Sequence, residues 1–324
     1  MRCLALADRL RQNGSKVTFV CRDGEGNMSQ QLKNHQTDVH WLVSSGPKNS
    51  ASRGQLAGRE LYAGWVGTSE ADDAAQTYEV IRNLNAPTEW LIVDHYGLGV
   101  EWEKRLRPYV GRIMVIDDLA DRSHECDLLL DQNLARKVGD YSGLAPQPCQ
   151  KIIGPQYALL RPEFAELREY SLTRRKTPLV RRLLITMGGI DLSNSTEEIL
   201  GALTSAPLQE NCKITVVMGG QSPWLTRVQQ KAETMPFNTE VLVDVNNMAQ
   251  IMADSDLAIG SGGSTSWERC CLGVPALLTA LAENQTQTVT SLEKEGAAVA
   301  FQIDDGLKRR LPIEISRIEN NKKI

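Results

Sequence analysis

The sequence predicts an α/β protein built from two doubly wound domains, and three observations lead to this expectation. Short, near-continuous apolar runs recur along the chain, and stretches with helical periodicity separate them. Runs of this kind are typical of parallel strands that are covered on both faces. The pattern restarts after a charged segment ending at Arg182, and 324 residues are enough for about two domains.

The first domain is expected over residues 1–170. Leu4, Ala7 and Leu10 form an apolar stripe, which predicts a helix that ends near Asn13-Gly14. A further helix is expected over 71–84, and a long surface loop over 44–68. The apolar runs predict strands over 17–21, 39–43, 90–93, 113–116 and 128–130.

The second domain is expected over residues 183–324, after a linker over 171–182. A helix begins near Ser195, and the segment from Asp304 is a polar tail without an assigned element. The predicted strands are 183–186, 214–218, 241–243 and 257–259. Two similar α/β domains that face each other predict a ligand site in the cleft between them.

Composition excludes several classes of function. The formal net charge is −4 and the pI about 5.7, which argues against a chain that coats nucleic acid or an anionic membrane. No apolar run approaches the roughly 18 residues of a membrane helix. The seven cysteines are odd in number and lack a C-x-x-C spacing. We therefore expect a reduced, cytoplasmic protein, and a monomer.

The strongest local motif follows a predicted strand and opens a helix: Gly260-Ser261-Gly262-Gly263-Ser264-Thr265-Ser266-Trp267-Glu268. Small residues let the backbone approach a ligand, and the helix N-terminus offers free N–H groups, which together suit a diphosphate. Glu268 could accept both hydroxyls of a ribose. The alternative is a tight turn followed by a capping box from Thr265 to Glu268.

Two further loops in the second domain carry glycine pairs directly after strands. They are Met187-Gly188-Gly189-Ile190-Asp191 and Met218-Gly219-Gly220-Gln221. One such pair is usually only a turn. Three glycine-containing loops at the ends of strands in one sheet favour a nucleotide pocket.

In the first domain, polar residues follow two neighbouring strands. Asp94-His95-Tyr96-Gly97 follows one strand, and Asp117-Asp118 follows the next. These side chains could bind sugar hydroxyls and amides or transfer protons. The alternative for Asp94 is a structural acceptor for nearby loop N–H groups.

The other histidines, His35, His40 and His124, are expected to be solvated. No group of His, Cys and carboxylate residues has the spacing of metal ligands, so no metal and no cofactor are expected.

Several motifs in the same order resemble the nucleotide-sugar hydrolases of pseudaminic acid biosynthesis, which cleave UDP-2,4-diacetamido-2,4,6-trideoxy-β-L-altropyranose. The resemblance runs to about residue 303. It is carried by Met1-Arg2-Cys3-Leu4-Ala5-Leu6-Ala7, Val93-Asp94-His95-Tyr96-Gly97, Ile116-Asp117-Asp118, Cys126-Asp127, Gly154-Pro155-Gln156-Tyr157-Ala158-Leu159-Leu160-Arg161, Met187-Gly188-Gly189-Ile190-Asp191, Ser261-Gly262-Gly263-Ser264 with Glu268, and Glu283-Asn284-Gln285.

This resemblance implies the GT-B architecture of two-domain glycosyltransferases, with the sugar transferred to water and without a metal. It implies a UDP site in the second domain and places Tyr96, together with Asp94, near the altrose. Helix-end N–H groups would stabilise the departing UDP anion. The residues that it implies for UDP are Gly188, Gly189, Ser264, Glu268, Asn284 and Gln285.

The family also has a strand and a Gly-His loop whose histidine, the general base, falls two residues before the position of Met1. None of the four histidines of this sequence matches it. The resemblance therefore implies a missing central strand and a poorly soluble or inactive chain. If the base lies within the sequence, His95 is the first candidate, because it directly follows a predicted parallel strand.

Two alternatives of other classes remain open. One is a GT-B glycosyltransferase that uses a UDP-amino sugar, which is disfavoured because no basic, apolar surface segment would dock on a lipid acceptor. The other is a non-enzymatic binder of UDP-sugars.

Overall fold

The chain is divided into two compact units, Met1–Leu159 and Leu160–Ile324, in a computed structural model that describes residues 1–22, 32, 37–44, 62–176 and 179–320. The sequence predicts this division at residue 170, followed by a linker. In the structure the residues after Leu160 form two short helices. The second is tied to its own unit by Ser171 Oγ, which donates to the Leu272 carbonyl at 2.8 Å.

The described residues of unit 1 form two parallel sheets. One pairs β1 with β2, and the other has the order β3-β4-β5-β6. The strands are β1 (Thr18–Arg22), β2 (Asp38–Leu42), β3 (Thr88–Val93), β4 (Val110–Ile116), β5 (Leu128–Asp131) and β6 (Gln150–Ile153). Its α-helices include α1 (Arg2–Gln12), α2 (Glu70–Arg82) and α3 (Val100–Leu106).

Strand β4 shows why the sheet of unit 1 is covered on both faces. Ile113 and Val115 pack in one buried cluster with Trp102 of α3. Met114 and Ile116 belong to a second cluster. Cys3 and Leu6 of α1 pack against that second cluster. Since alternate residues of a strand face opposite sides, both faces of β4 are apolar, as the sequence predicts.

Unit 2 is a single six-stranded parallel sheet with helices on both faces. The strands have the order β12-β11-β10-β7-β8-β9. Its elements are α4 (Pro162–Glu166), α5 (Arg168–Arg174), β7 (Arg182–Thr186), α6 (Ser195–Leu203), β8 (Lys213–Met218), α7 (Leu225–Glu233), β9 (Asn238–Val243), α8 (Met248–Ala253), β10 (Leu257–Ser261), α9 (Thr265–Leu272), β11 (Ala276–Thr279), α10 (Glu283–Lys294), β12 (Val299–Ala300) and α11 (Leu307–Asn320).

The interpretation of the last segment as a polar tail is wrong in one respect, because in the structure this segment contains helix α11. Leu307, Leu311, Ile315 and Ile318 recur at helical spacing and are buried. They pack into the core cluster of unit 2 that also contains Ile199 of α6. The charged residues between them obscure this apolar face in the sequence.

The strand order of unit 2 creates one topological switch point. From the central strand β7 the chain runs outward through β8 and β9, then crosses to β10 on the other side of β7. The loops that leave β7 and β10 therefore diverge to opposite faces, and a crevice forms between them at the carboxyl ends of the strands. In open α/β sheets ligands bind in this crevice. None of the described helices is long and apolar enough to cross a membrane.

Candidate functional site

The loop after β7 presents an open backbone surface. Gly188 has φ +96°, a conformation that L-residues with a side chain rarely adopt. A Cβ atom on Gly188 or Gly189 would meet no heavy atom within 4 Å. On its other side the loop is fixed, since the Gly219 amide donates to the Gly189 carbonyl at 3.0 Å. The backbone at this loop is thus held in place and accessible to a ligand.

The loop between β10 and α9 lies beside the start of α10. The side-chain nitrogen Nε2 of Gln285 would be 3.9 Å from a Cβ on Gly263. The side-chain oxygen Oε1 of Gln285 accepts a hydrogen bond from the backbone N–H of Leu281 at 3.0 Å. Ser264 and Asn284 are exposed on this part of the unit. Because β10 is paired with both β7 and β11, their following loops share one edge of the sheet. All six residues predicted to bind UDP therefore lie on the loops and helix starts of this edge, or in the first turns of α9 and α10.

Glu268 does not cap its helix. Helix α9 begins after Ser264, which makes no side-chain capping hydrogen bond. The capping box from Thr265 to Glu268, considered as an alternative, does not form. Within the described part of the chain no group donates a hydrogen bond to the Glu268 carboxylate. Burial raises the pKa of Glu268, and the charges of Arg161 and Arg269 partly oppose this. A carboxylate without a partner is available to accept hydrogen bonds from ligand hydroxyls.

Asp191 belongs to the same β7 loop but has a structural role. Its carboxylate is buried and accepts the Ser195 amide at 3.0 Å and the Thr196 amide at 2.9 Å. These amides start helix α6, so Asp191 satisfies two of its unpaired N–H groups. Asp191 therefore fixes the β7 loop and helix α6 relative to each other.

In unit 1 the residues after β3 and β4 form a charged cluster around Arg2. The guanidinium contacts Asp94 at 2.6 Å and 3.0 Å, and Asp118 at 2.8 Å and 2.9 Å. The Tyr96 hydroxyl donates to Asp118 at 2.7 Å. The predicted sugar-binding residues Asp94 and Tyr96 are thus brought together by Asp118, which the sequence also suggests as a polar site residue, and by Arg2, for which the sequence predicted no site role.

The cluster holds the Asp94 carboxylate ionised. Although burial acts to raise the pKa of Asp94, the hydrogen bonds and charge of Arg2 lower it below its ordinary value. Burial and the neighbouring Asp118 raise the pKa of Tyr96, which therefore stays a neutral donor. About a quarter of the Asp94 side chain, 26%, is exposed. Asp94 accepts hydrogen bonds within the fold, but from the Arg2 side chain and not from the loop N–H groups considered as the alternative.

Three aromatic rings lie beside this cluster. The Tyr62 ring is 5.1 Å from Trp65 and 5.2 Å from Tyr96, measured between centroids, and Trp65 is 6.0 Å from Tyr96. Trp65 is 47% exposed. An exposed aromatic surface next to polar groups is suited to bind a ligand with one apolar face and several polar substituents.

His95 lies between Asp94 and Tyr96 in the sequence, but its ring is engaged. Nδ1 accepts a hydrogen bond from the Gly97 amide at 3.0 Å. Burial lowers the pKa of His95, against the charges of Asp73 and Asp94 and a hydrogen bond with the Trp65 backbone. The ring is therefore neutral near pH 7. Nδ1 can accept a proton only after its hydrogen bond to Gly97 breaks.

Two other sequence predictions in unit 1 change. Asp117 is fully buried and paired with Arg122 at 2.6 Å, so it stabilises the loop instead of facing a ligand. His124, expected to be solvated, is buried, and its Nδ1 lies 2.8 Å from Glu103. His40 lies in β2, and His35 falls outside the described residues.

The described residues contain no group of three or more His, Cys, Asp or Glu able to hold a metal ion.

One signal in the sequence could have identified Arg2. The first turn of α1 contains this cation and no acidic residue. A positive charge there opposes the helix dipole, so it implies a carboxylate partner from elsewhere in the fold.

Comparisons with known proteins agree with this fold. Residues 183–324 match the glycosyltransferase family 28 C-terminal domain. The UDP-2,4-diacetamido-2,4,6-trideoxy-beta-L-altropyranose hydrolase of Campylobacter jejuni is 31% identical over 227 residues, which are 69% of this chain and 78% of that protein. The spore coat polysaccharide biosynthesis protein SpsG of Bacillus subtilis is 33% identical over 50% of this chain and 45% of its own length.

Solved structures extend the likeness to almost the whole chain. MurG of Acinetobacter baumannii has a TM-score of 0.62 at 16% identity and covers 99% of this chain and 87% of its own. TcCGT1, solved in complex with UDP, has a TM-score of 0.64 at 13% identity and covers 99% and 88%. Such identities show the fold alone, which is GT-B with Rossmann-like units. On the strength of the Campylobacter relative, the chain belongs to the family of UDP-2,4-diacetamido-2,4,6-trideoxy-beta-L-altropyranose hydrolases.

Proposed function

We propose that the chain hydrolyses UDP-2,4-diacetamido-2,4,6-trideoxy-β-L-altropyranose to UDP and 2,4-diacetamido-2,4,6-trideoxy-L-altrose, in pseudaminic acid biosynthesis. The observation that carries the proposal is the edge of unit 2, where the partnerless Glu268 carboxylate lies in the first turn of α9, the helix that follows the glycine-containing β10 loop at a topological switch point. The family relative supplies the identity of the sugar.

UDP is assigned to unit 2. Gly188 and Gly189 allow the diphosphate to approach the backbone, and Ser264 with the first amides of α9 donates hydrogen bonds to it. Glu268 accepts the ribose hydroxyls. Asn284 and Gln285, in the first turn of α10, complete the polar surface. These residues favour UDP as leaving group, because donors fixed before the reaction stabilise the charge that develops on it.

The sugar is assigned to the unit 1 cluster. Tyr96 and Asp94 provide hydrogen-bonding groups for the hydroxyl and acetamido substituents, and Trp65 provides an apolar surface. In the reaction, water attacks the anomeric carbon, the bond from that carbon to the diphosphate oxygen breaks, and its electron pair leaves with UDP. The proton of the water passes to a base, for which His95 is the candidate in this sequence.

A second candidate function is sugar transfer from a UDP-amino sugar to an acceptor other than water. It is favoured by the fold, because the solved structures that the chain resembles include glycosyltransferases. Both functions use the same UDP surface and differ in the nucleophile.

The deciding experiment incubates the protein with the UDP-sugar in the absence of any acceptor and measures UDP by chromatography. We expect UDP and the free sugar in equal amounts. UDP release that requires an added acceptor would support the transferase instead. Binding of the UDP-sugar, detected by calorimetry, without release would leave a non-enzymatic binder and contradict both enzymatic functions.

A further inference from the structure

Arg269 is a buried cation directly beneath the candidate UDP surface. Its side chain is fully buried in α9, and Nη2 donates to the Ser261 carbonyl at 2.6 Å and to Ser266 Oγ at 3.1 Å. Nε and Nη1 have no hydrogen-bond partner among the described residues. Burial lowers the pKa of Arg269 to about 10, so the guanidinium remains positively charged near pH 7.

The guanidinium lies at the switch point of the sheet. A Cβ on Gly260 would be 2.5 Å from Arg269 Nη1 and 2.9 Å from the Thr186 carbonyl oxygen. Thr186 ends β7, and Gly260 is the second-to-last residue of β10. The absence of a side chain at Gly260 therefore makes room for this cation beside the paired strands β7 and β10.

Within the described residues Arg269 forms no salt bridge with a carboxylate. Taking a charge out of water without an ion partner is costly, and a well-packed apolar residue is often as stable at such a position. The two acceptors of Arg269, one backbone carbonyl and one hydroxyl, compensate only part of this cost. A fixed positive charge of this kind is explained if an anion binds on the surface above it.

We propose that Arg269 is a positioning residue for the diphosphate of the UDP-sugar, acting as its counter-charge from beneath the Ser261–Ser264 loop. This inference rests on the assignment of UDP to unit 2. Arg269 acts through the loop in two ways. It holds the Ser261 carbonyl, while the next amide, that of Gly262, donates to the Thr279 carbonyl at 3.0 Å. Its charge also raises the potential at the N-terminus of α9, where the anion is placed.

The test compares ligands that differ in their charge. Arg269→Met keeps much of the side-chain volume and removes the charge, and Arg269→Lys keeps the charge. Affinities for UDP, uridine and pyrophosphate are measured by calorimetry on the full chain, with Arg309→Met, an exposed arginine of α11, as the matched control. We expect Arg269→Met to lose about tenfold or more in UDP and pyrophosphate affinity relative to uridine. Arg269→Lys and Arg309→Met should keep the wild-type ratio of UDP to uridine affinity.

A purely structural role of Arg269 predicts that Arg269→Met loses equal affinity for UDP and for uridine. It also predicts that Arg269→Lys changes the ratio of UDP to uridine affinity as much as Arg269→Met does. Either result would overturn the inference. If the Met variant does not fold, Arg269→Gln takes its place against Arg269→Lys. A wild-type chain that binds pyrophosphate but not UDP would contradict the proposed function, and the pyrophosphate affinities of the variants would then decide the role of Arg269. A chain that binds neither ligand overturns both.

Discussion

Glu268 is the residue on which UDP recognition depends in our proposal. Its carboxylate has no hydrogen-bond donor among the described residues, so it can accept ribose hydroxyls without first breaking an internal contact. Glu268→Ala should therefore weaken UDP binding by about 1–3 kcal/mol, as for the loss of a charged hydrogen-bond partner. Calorimetry measures this, with the exposed Glu233→Ala as control. Unchanged UDP affinity in a folded Glu268→Ala variant would move the ribose elsewhere.

Tyr96 separates sugar recognition from UDP recognition. Its hydroxyl donates to Asp118, which also binds Arg2, so Tyr96→Phe removes a donor from the charged cluster of unit 1 while keeping the ring. Turnover should fall, and UDP affinity should stay within error. The control is Tyr109→Phe, an exposed tyrosine of the same unit. A fall in UDP affinity with unchanged turnover per bound substrate would mean that the roles of the two units are reversed.

The proposed role of His95 as general base predicts how the rate depends on pH. A general base must be unprotonated, and the pKa of this ring lies below the ordinary value for histidine, about 6.5. If His95 is the base, kcat/KM rises with pH through a pKa below about 6.5 and is level at neutral pH. His95→Gln should remove this acidic limb and lower the plateau. A rate that still rises between pH 7 and 8 would require a different base.

The sequence suggests some residues of the proposed site and not others, for a physical reason. Gly188, Gly189 and Ser264 could be proposed because small residues directly after apolar strands are a local pattern. Arg2 and Arg269 act on partners or surfaces that only the folded chain assembles. The partners of Arg2 are 92 and 116 positions away in the sequence.

At the scale of elements, most strands could be predicted from their apolar runs, including the four-residue β5, but β6, β11 and β12 were not predicted. The predicted strand positions near residues 90–93, 113–116, 183–186 and 257–259 all fall within observed strands. Strand β6 begins with two polar residues, and β12 has only two residues. Edge strands of this kind have one neighbour and less burial, so hydrophobic periodicity carries little signal for them.

Helix α6 depends on Asp191 for its first turn. Because this carboxylate accepts two amides at the helix start, Asp191→Ala should lower the free energy of unfolding by about 1–2 kcal/mol, as for the loss of a helix cap. Chemical denaturation followed by circular dichroism measures the change. The exposed Asp305→Ala should have no effect. A variant as stable as the wild type would show that water replaces the carboxylate at no cost.

At the scale of the whole molecule, two carboxylates of unit 1 make the stability of the protein depend on pH. The pKa values of Asp94 and Asp117 are lowered: burial acts to raise them, but Arg2 and Arg122 outweigh it. Unfolded aspartates titrate near 4. Between these values the unfolded chain binds more protons, so the free energy of unfolding falls as the pH drops below about 4.

Urea denaturation of the full chain between pH 7 and pH 3 measures this dependence. Arg2→Met should flatten it, because Asp94 then loses the partner that lowers its pKa. The control is Arg9→Met, an exposed arginine of the same helix. An Arg2→Met variant that keeps the wild-type pH dependence would contradict the role assigned to the charged cluster.

The position of β7 between β8 and β10 also affects how the chain folds. Residues 182–186 can pair with 213–218 early, and 213–218 with 238–243, but 182–186 meet their other neighbour only after 257–261 have been synthesised. Until then a parallel sheet with an apolar, unpaired edge is exposed, a species prone to aggregation. Contacts this distant in sequence form slowly. The strand order that opens the crevice for a ligand therefore also makes the newly synthesised chain vulnerable until its second half-sheet has emerged from the ribosome.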